Sequence, residues 1–236
     1  FQDVTWHDLS EAALAIRAGA LYIATNLDLV IPRERGLMVG NGALVGAVSL
    51  STGVKPISGG KPEPEIFLAA ARGLDSRKPL AIGDNLDTDI KGAVSAGIDC
   101  LHVLTGLASA RHICLAPPEV RPTFLCDDMR GLNEQYPEVL IETGGGRSRQ
   151  TGGGRVDGGE DVGSGDAAKA GTVTVGLAQA RWTESGVRLF GEKEIDVAAG
   201  ATLNLDEYRA LVHAAWKAAD AGADLDAAVG EITVVR

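Results

Sequence analysis

Three aspartates crowd into six residues, Asp84, Asp87 and Asp89, directly after the apolar run Pro79-Leu-Ala-Ile-Gly83. Carboxylates this close repel one another unless a cation or hydrogen-bond donors compensate. Oxygen ligands on a tight turn suit a hard divalent ion, Mg²⁺ first among them. Asp84 and Asp89 are the candidate metal ligands, and Asp87 is assigned to solvent or to capping. The competing reading is a plain acidic loop whose Asp87 or Thr88 caps the following helix. A second feature lies upstream, in Gly59-Gly60-Lys61-Pro62-Glu63-Pro64. Lys61 stands just before a helix N-terminus, where dipole and ammonium together favour an anionic phosphate. Taken alone, such a lysine is usually just a solvated charge. A carboxylate-held metal on one side of a site and an ammonium on the other is what phosphoryl transfer needs.

The elements that must position these groups alternate between helix and strand over the first 140 residues. Thr5 with Asp8 three residues on caps a helix through Ala18, closed by Gly19. Ala20–Ala24 reads as a strand, Gly42–Ser51 as a small-residue helix closed by Gly53, and Glu63-Pro64-Glu65 opens a helix to Gly73. Pro79–Gly83 is a short buried strand, Thr88–Ala96 a helix, Cys100–Leu104 the next strand and Thr123–Cys126 a last, short one. This order predicts right-handed crossovers and a parallel sheet, with ligands at the carboxyl ends of its strands. That is where the aspartates fall.

Residues 141–171 break the pattern with eleven glycines, from Gly144 to Gly171, among serine, arginine and aspartate. With so little to bury, this stretch reads as a flexible linker. From 172 the pattern returns: strands over Thr172–Leu177 and Val187–Phe190, a helix over Leu205–Ala221 with Asn204 and Glu207 as its capping box, and a closing strand at Glu231–Val235. The fold class is therefore α/β with a small α+β unit at the C-terminal end.

Composition removes several classes of function. The net charge is −10, divided evenly between residues 1–140 and 141–236, so no basic face exists for a nucleic-acid backbone. No apolar run reaches the length of a membrane span, and no signal pattern opens the chain. Cys100, Cys114 and Cys126 are an odd count without paired spacing, which argues against a disulfide framework or a zinc site and for a cytoplasmic protein. His7, His102, His112 and His213 stand apart from one another. His102 reads as a satisfied core residue, and His213 with Trp216 as the packing face of the last helix.

Gly60-Lys61-Pro62, then Gly83-Asp84-x-x-x-Thr88-Asp89-Ile90, then Val103-Leu104-Thr105-Gly106 resemble the later motifs of the haloacid dehalogenase (HAD) superfamily. Ala24-Thr25-Asn26-Leu-Asp28, with Pro32 and Gly40-Asn-Gly42, resembles its subgroup with a large α/β cap, which contains nitrophenylphosphatase-like, phosphoglycolate and glycerol-3-phosphate phosphatases. The arrangement is most similar to actinobacterial members. The resemblance covers about residues 4–135 and implies a Rossmann-like HAD core over 57–140, the remainder of an α/β cap over 1–56, a linker over 141–171 and an accessory domain over 172–236.

By position, the resemblance implies that Lys61 neutralises the attacking aspartate and the substrate phosphate. Asp84 would ligate Mg²⁺ directly and Asp89 would hold a metal-bound water. Asn26 and Asp28 would face the site from the cap, although turn formation explains those residue types as well. Thr105 and Gly106 are expected only to end their strand. The implied activity is Mg²⁺-dependent hydrolysis of a small phosphorylated metabolite, glycerol 3-phosphate foremost. The family's Asp-x-Asp-Gly nucleophile motif does not occur, so the resemblance implies that an N-terminal part is missing and that the chain alone is inactive. It also implies an unpaired edge on the motif-bearing strand. The alternative is a scaffold acting in binding or assembly. An acyl-CoA loop is absent from 172–236, so the tail is expected to serve packing, oligomerisation or solubility.

Overall fold

The computed structural model of the chain describes residues 3–150 and 169–236. The expected helix boundaries hold where capping sets them. Helix α1 (Trp6–Arg17) starts on the Thr5–Asp8 capping box. Strand β1 (Ile23–Ala24) leads to a hairpin of β2 (Val30–Arg33) and β3 (Gly36–Val39). Helix α2 (Asn41–Thr52) ends on Gly53, whose φ of 75° only glycine adopts without strain. Then follow β4 (Ile57–Ser58), α3 (Glu65–Gly73) and β5 (Leu80–Gly83).

The helix expected at Thr88–Ala96 begins earlier and differently. Asn85 caps a single π-helical turn, Leu86–Ile90, which runs into α4 (Lys91–Ser95). Strand β6 (Asp99–Val103), α5 (Ala110–Cys114) and β7 (Phe124–Cys126) complete this half. Strands β5, β6 and β7 pair in parallel in that order, and β1 pairs in parallel with β4. As expected, β5 lies at a sheet edge, and its Leu80 and Ile82 are exposed.

The linker reading needs correction at both flanks, while residues 151–168 lie outside the described residues. Strands β8 (Val139–Thr143) and β9 (Gly146–Gln150) form a hairpin, and β10 already begins at Ala170 (Ala170–Val175). The glycines at 144–146 make its turn rather than a tether. Exposed ion pairs cross this hairpin: Arg147 pairs with Glu142, and Arg149 Nε lies 3.1 Å from Glu138.

Strands β11 (Ala178–Thr183), β12 (Gly186–Phe190) and β13 (Glu194–Ile195) continue an antiparallel sheet of order β13-β12-β11-β10-β8-β9. Periodicity missed β11, whose inward positions Ala178, Ala180 and Trp182 alternate with exposed ones. Strand β14 (Ala201–Asn204), α6 (Leu205–Asp220) and β15 (Ile232–Val235) close the chain, with β14 and β15 parallel and the Asn204–Glu207 capping box in place.

Helix α6 packs on β10, β11 and β12 with one face and on α5 with another. A single apolar core therefore runs from Ile113, Cys114 and Leu125 to Trp182, Leu189, Tyr208 and Leu211. Buried hydrogen bonds cross the same seam: Trp216 Nε1 donates to Ile113 O at 2.8 Å and Arg209 Nε to Leu125 O at 3.1 Å. The tail shares its core with the motif-bearing half. Among the described residues no helix is long and apolar enough to cross a membrane.

Candidate functional site

Each candidate side chain sits just beyond the carboxyl end of a parallel strand, as the open-sheet rule requires. Asn26 and Asp28 follow β1, Lys61 follows β4, and Asp84 and Asp89 follow β5. Parallel pairing of β1 with β4 brings the first two groups together, and Leu27 N donates to Lys61 O at 3.1 Å. Gly60 permits this approach: a Cβ there would fall 1.6 Å from Thr25 O. Asn41 at the start of α2 ties in the loop by donating from Nδ2 to Asn26 O at 2.8 Å. Asn26 Oδ1 in turn accepts from Asp28 N, so its side chain also shapes the turn.

All five residues line one cleft of about 1170 Å³, walled on its far side by the β2–β3 hairpin with Arg33 and Arg35. Lys61 Nζ lies 2.5 Å from Asp89 Oδ1 and 3.6 Å from Asp28 Oδ2. Burial alone would lower the lysine, but the hydrogen bond and charge of Asp89, reinforced by Asp28, hold its pKa above the usual value. The ammonium is therefore charged throughout the physiological range. Asp89 Oδ2 accepts from the backbone N–H groups of Asp84 and Asn85 at 3.3 and 3.2 Å. Asp84 Oδ2 accepts from Leu107 N at 2.8 Å.

Gly106 has a larger part than ending a strand, and that expectation is corrected. A Cβ on residue 106 would meet Asp84 Oδ2 at 1.7 Å, so the loop after β6 cradles the carboxylate because it carries no side chain there. Asn85 and Leu107 were also missed by motif reading, since both act through backbone amides that any residue type provides. Asp87 is exposed, in keeping with its assignment to solvent. His102 is buried beneath the site with Nε2 3.4 Å from Asp84 O, and burial pushes its pKa down to about 4, so it is neutral.

The donor set fits part of a Mg²⁺ site. It is all oxygen, and the hydrogen bond made by the Asp84 side chain engages Oδ2 alone, leaving Oδ1 for a cation. Both oxygens of Asp89 are engaged, which suits it to orient Lys61 and the loop amides. Among the described residues no group of three or more His, Cys, Asp or Glu side chains forms a metal cage. Mg²⁺ tolerates this better than other hard ions, because it keeps several waters and uses one or two protein carboxylates.

Comparison with known proteins finds matches over the same part of the chain. Residues 58–132 match the family model described as HAD-hydrolase-like. A D-glycerol 3-phosphate phosphatase of Mycobacterium tuberculosis is 46% identical over 151 residues, covering 64% of this chain and 43% of that protein. An acid sugar phosphatase of Staphylococcus aureus is 42% identical over 140 residues, 58% of this chain and 52% of its own. The crystal structure of glycerol phosphate phosphatase from Mycobacterium tuberculosis in complex with magnesium aligns at a TM-score of 0.54. Identity there is 42%, covering 66% of this chain and 50% of that one. The chain thus spans about half the length of the relatives it matches. The resemblance to the HAD-hydrolase-like family is carried by the motif-bearing segment, residues 58–132.

Proposed function

We propose that residues 1–140 form the metal- and phosphate-binding part of a Mg²⁺-dependent phosphatase acting on a small phosphomonoester, glycerol 3-phosphate foremost and phosphoglycolate next. The observation that carries this reading is the Lys61 ammonium held 2.5 Å from Asp89 on the cleft that Asp84 also lines. Bound at Asp84 Oδ1, Mg²⁺ would neutralise charge on a phosphoryl oxygen and polarise it. Lys61 binds a second phosphoryl oxygen and balances the charge that builds there in the transition state. Asp89 keeps the lysine ionised and aimed, and fixes the Asp84–Asn85 backbone through its other oxygen. Asp28 and Asn26 face the substrate from the opposite side, and the β2–β3 hairpin limits its size.

The nucleophile in this reading is a carboxylate supplied outside the present sequence. It attacks phosphorus in line and expels the alkoxide, which takes a proton from an acid also outside it, and water then hydrolyses the acyl phosphate. By itself the chain binds phosphate and does not turn it over. The free, buried Cys100, Cys114 and Cys126 suit a reducing, cytoplasmic setting.

The test is phosphate release from glycerol 3-phosphate, phosphoglycolate and nitrophenyl phosphate, with and without Mg²⁺. It uses the chain expressed together with its upstream coding sequence. Turnover should require Mg²⁺, and Asp84→Asn should lower kcat/KM by about 100-fold or more. No turnover, or turnover indifferent to Asp84→Asn, overturns the proposal.

A further inference from the structure

A second concavity, about 200 Å³, opens where α6, the β8–β9 hairpin and the segment before β7 meet. Arg121, Arg149 and Lys217 bring three cations to its lining against Asp220 within it and Glu138 beside Arg149. That local excess of positive charge stands out in a chain of net charge −10. The floor is rigid. Trp216 is fixed by its bond to Ile113 O, and His213 packs edge-to-face on it at 5.3 Å. Arg121 lies 5.6 Å from the centre of the same indole ring. Its hydrogen bonds use Nε, to Ala116 O, and Nη1, to Asp220, which leaves Nη2 for a ligand.

The second observation is His213. It is only 6% exposed, and its Nε2 is buried with no hydrogen-bond partner among the described residues. An orphaned buried nitrogen in the wall of a polar pocket is costly unless something completes it. Burial holds the imidazole neutral, with its pKa near 4, so it can donate a hydrogen bond without adding charge.

We infer that this pocket is a binding site for a phosphate-class oxyanion, held by Arg121 and His213 at its floor and by Arg149 and Lys217 at its rim. The volume admits inorganic phosphate or a monoester carrying a few carbons and excludes a nucleotide. The site is built wholly from side chains away from the catalytic cleft, so it stands or falls independently of the activity proposed above.

Its test is an NMR titration of the full chain with inorganic phosphate, read at the Trp216 indole N–H, with Trp6 and Trp182 as internal references. A saturable shift confined to Trp216 is expected. Arg149→Gln combined with Lys217→Glu takes the lining from net +2 to −1 and should weaken binding about tenfold or more. Both side chains are exposed, and an unchanged Trp182 signal verifies the fold. Lys61→Met, which alters the other cleft, should leave the titration unchanged. Tighter binding of glycerol 3-phosphate than of inorganic phosphate identifies an organic monoester as the source, and equal binding identifies free phosphate. A shift that sodium chloride reproduces at equal ionic strength, or one that the double variant retains in full, overturns the inference.

Discussion

Gly106→Ala probes the geometry of the Asp84 carboxylate, the proposed metal ligand, most directly. The added methyl would fall 1.7 Å from Asp84 Oδ2 and 2.2 Å from its Cγ. Ordinary contact requires about 3.3 Å, so the carboxylate or the loop must yield by about 1.5 Å. The displaced oxygen loses the 2.8 Å bond from Leu107 N, a charge-assisted contact worth about 1.5–3 kcal/mol. Crowding into a packed turn adds a cost of the same order. Together these amount to a loss of about 3–6 kcal/mol, which lowers Tm by roughly 6–24 °C for a chain this size.

The functional effect is sharper, because moving a ligand's carboxylate costs about 10–100-fold in metal affinity. Calorimetric titration with Mg²⁺ reads the second quantity and thermal unfolding the first. Gly46→Ala is the control: its Cβ meets nothing within 4 Å in the middle of α2, and it should stabilise by about 0.5–1 kcal/mol. If Gly106→Ala binds Mg²⁺ as the parent does and melts at the same temperature, the close approach of loop and carboxylate is not what positions Asp84.

Three further outcomes follow from the same contacts. Lys61→Met should lower phosphate-ester affinity at least about tenfold. Because Lys61 is raised above 10.5 in the fold, its stabilising contribution is complete below that pH and lost as pH rises through the folded value. Urea melts of parent and variant should therefore differ by a constant amount through neutrality and converge in strong alkali; a difference that vanishes near pH 7 counts against the Lys61–Asp89 pair. His102 and His213 both sit near 4 in the fold against 6.5 unfolded, so the unfolded chain gains protons first as pH falls. Stability should decline between pH 6.5 and 4 by up to about 1.4 kcal/mol per pH unit for each histidine, and His213→Gln should roughly halve that slope. A chain ending at Glu138 should bind hydrophobic dye and show no cooperative thermal transition, since Ile113, Cys114 and Leu125 lose their cover. A sharp transition in that fragment would mean that the tail is energetically separate.

How much of this was legible in the sequence depends on how local the signal is. The Thr5–Asp8 and Asn204–Glu207 capping boxes, the Gly53 stop and the apolar runs at β5 and β6 are short-range, and they locate their elements within a residue or two. That Lys61, Asp84 and Asp89 line one cleft was legible from their places after strand ends. What escaped was decided by pairing at a distance. β9 is glycine, arginine and serine, and becomes a strand through its backbone pairing with β8. β11 hides behind small alanines whose burial is set by α6. The roles of Gly106 and of Leu107 N escaped for the same reason, since a missing side chain and a backbone amide leave no compositional trace.

The continuous core changes what the C-terminal unit is for. An appended domain that merely solubilised its neighbour would meet it through a polar, wetted surface. Here α6 lays Tyr208, Leu211 and Trp216 against α5 and β7, and its Arg209 places a guanidinium 4.5 Å over the Tyr136 ring while bonding to Leu125 O. The segment after β6 contributes Ala108 and Ala110 to that core. β7 and α5 flank the β6 loop that holds Asp84 through Leu107, so the order of that loop is underwritten from the tail side of the core. An oxyanion seated between Arg121 and His213 would bind across the same seam, at the junction of α6 with the segment leading into β7. By linkage it would stabilise the packed arrangement over any in which α6 lifts away. The loop that holds Asp84 and the tail thus depend on a common apolar interior.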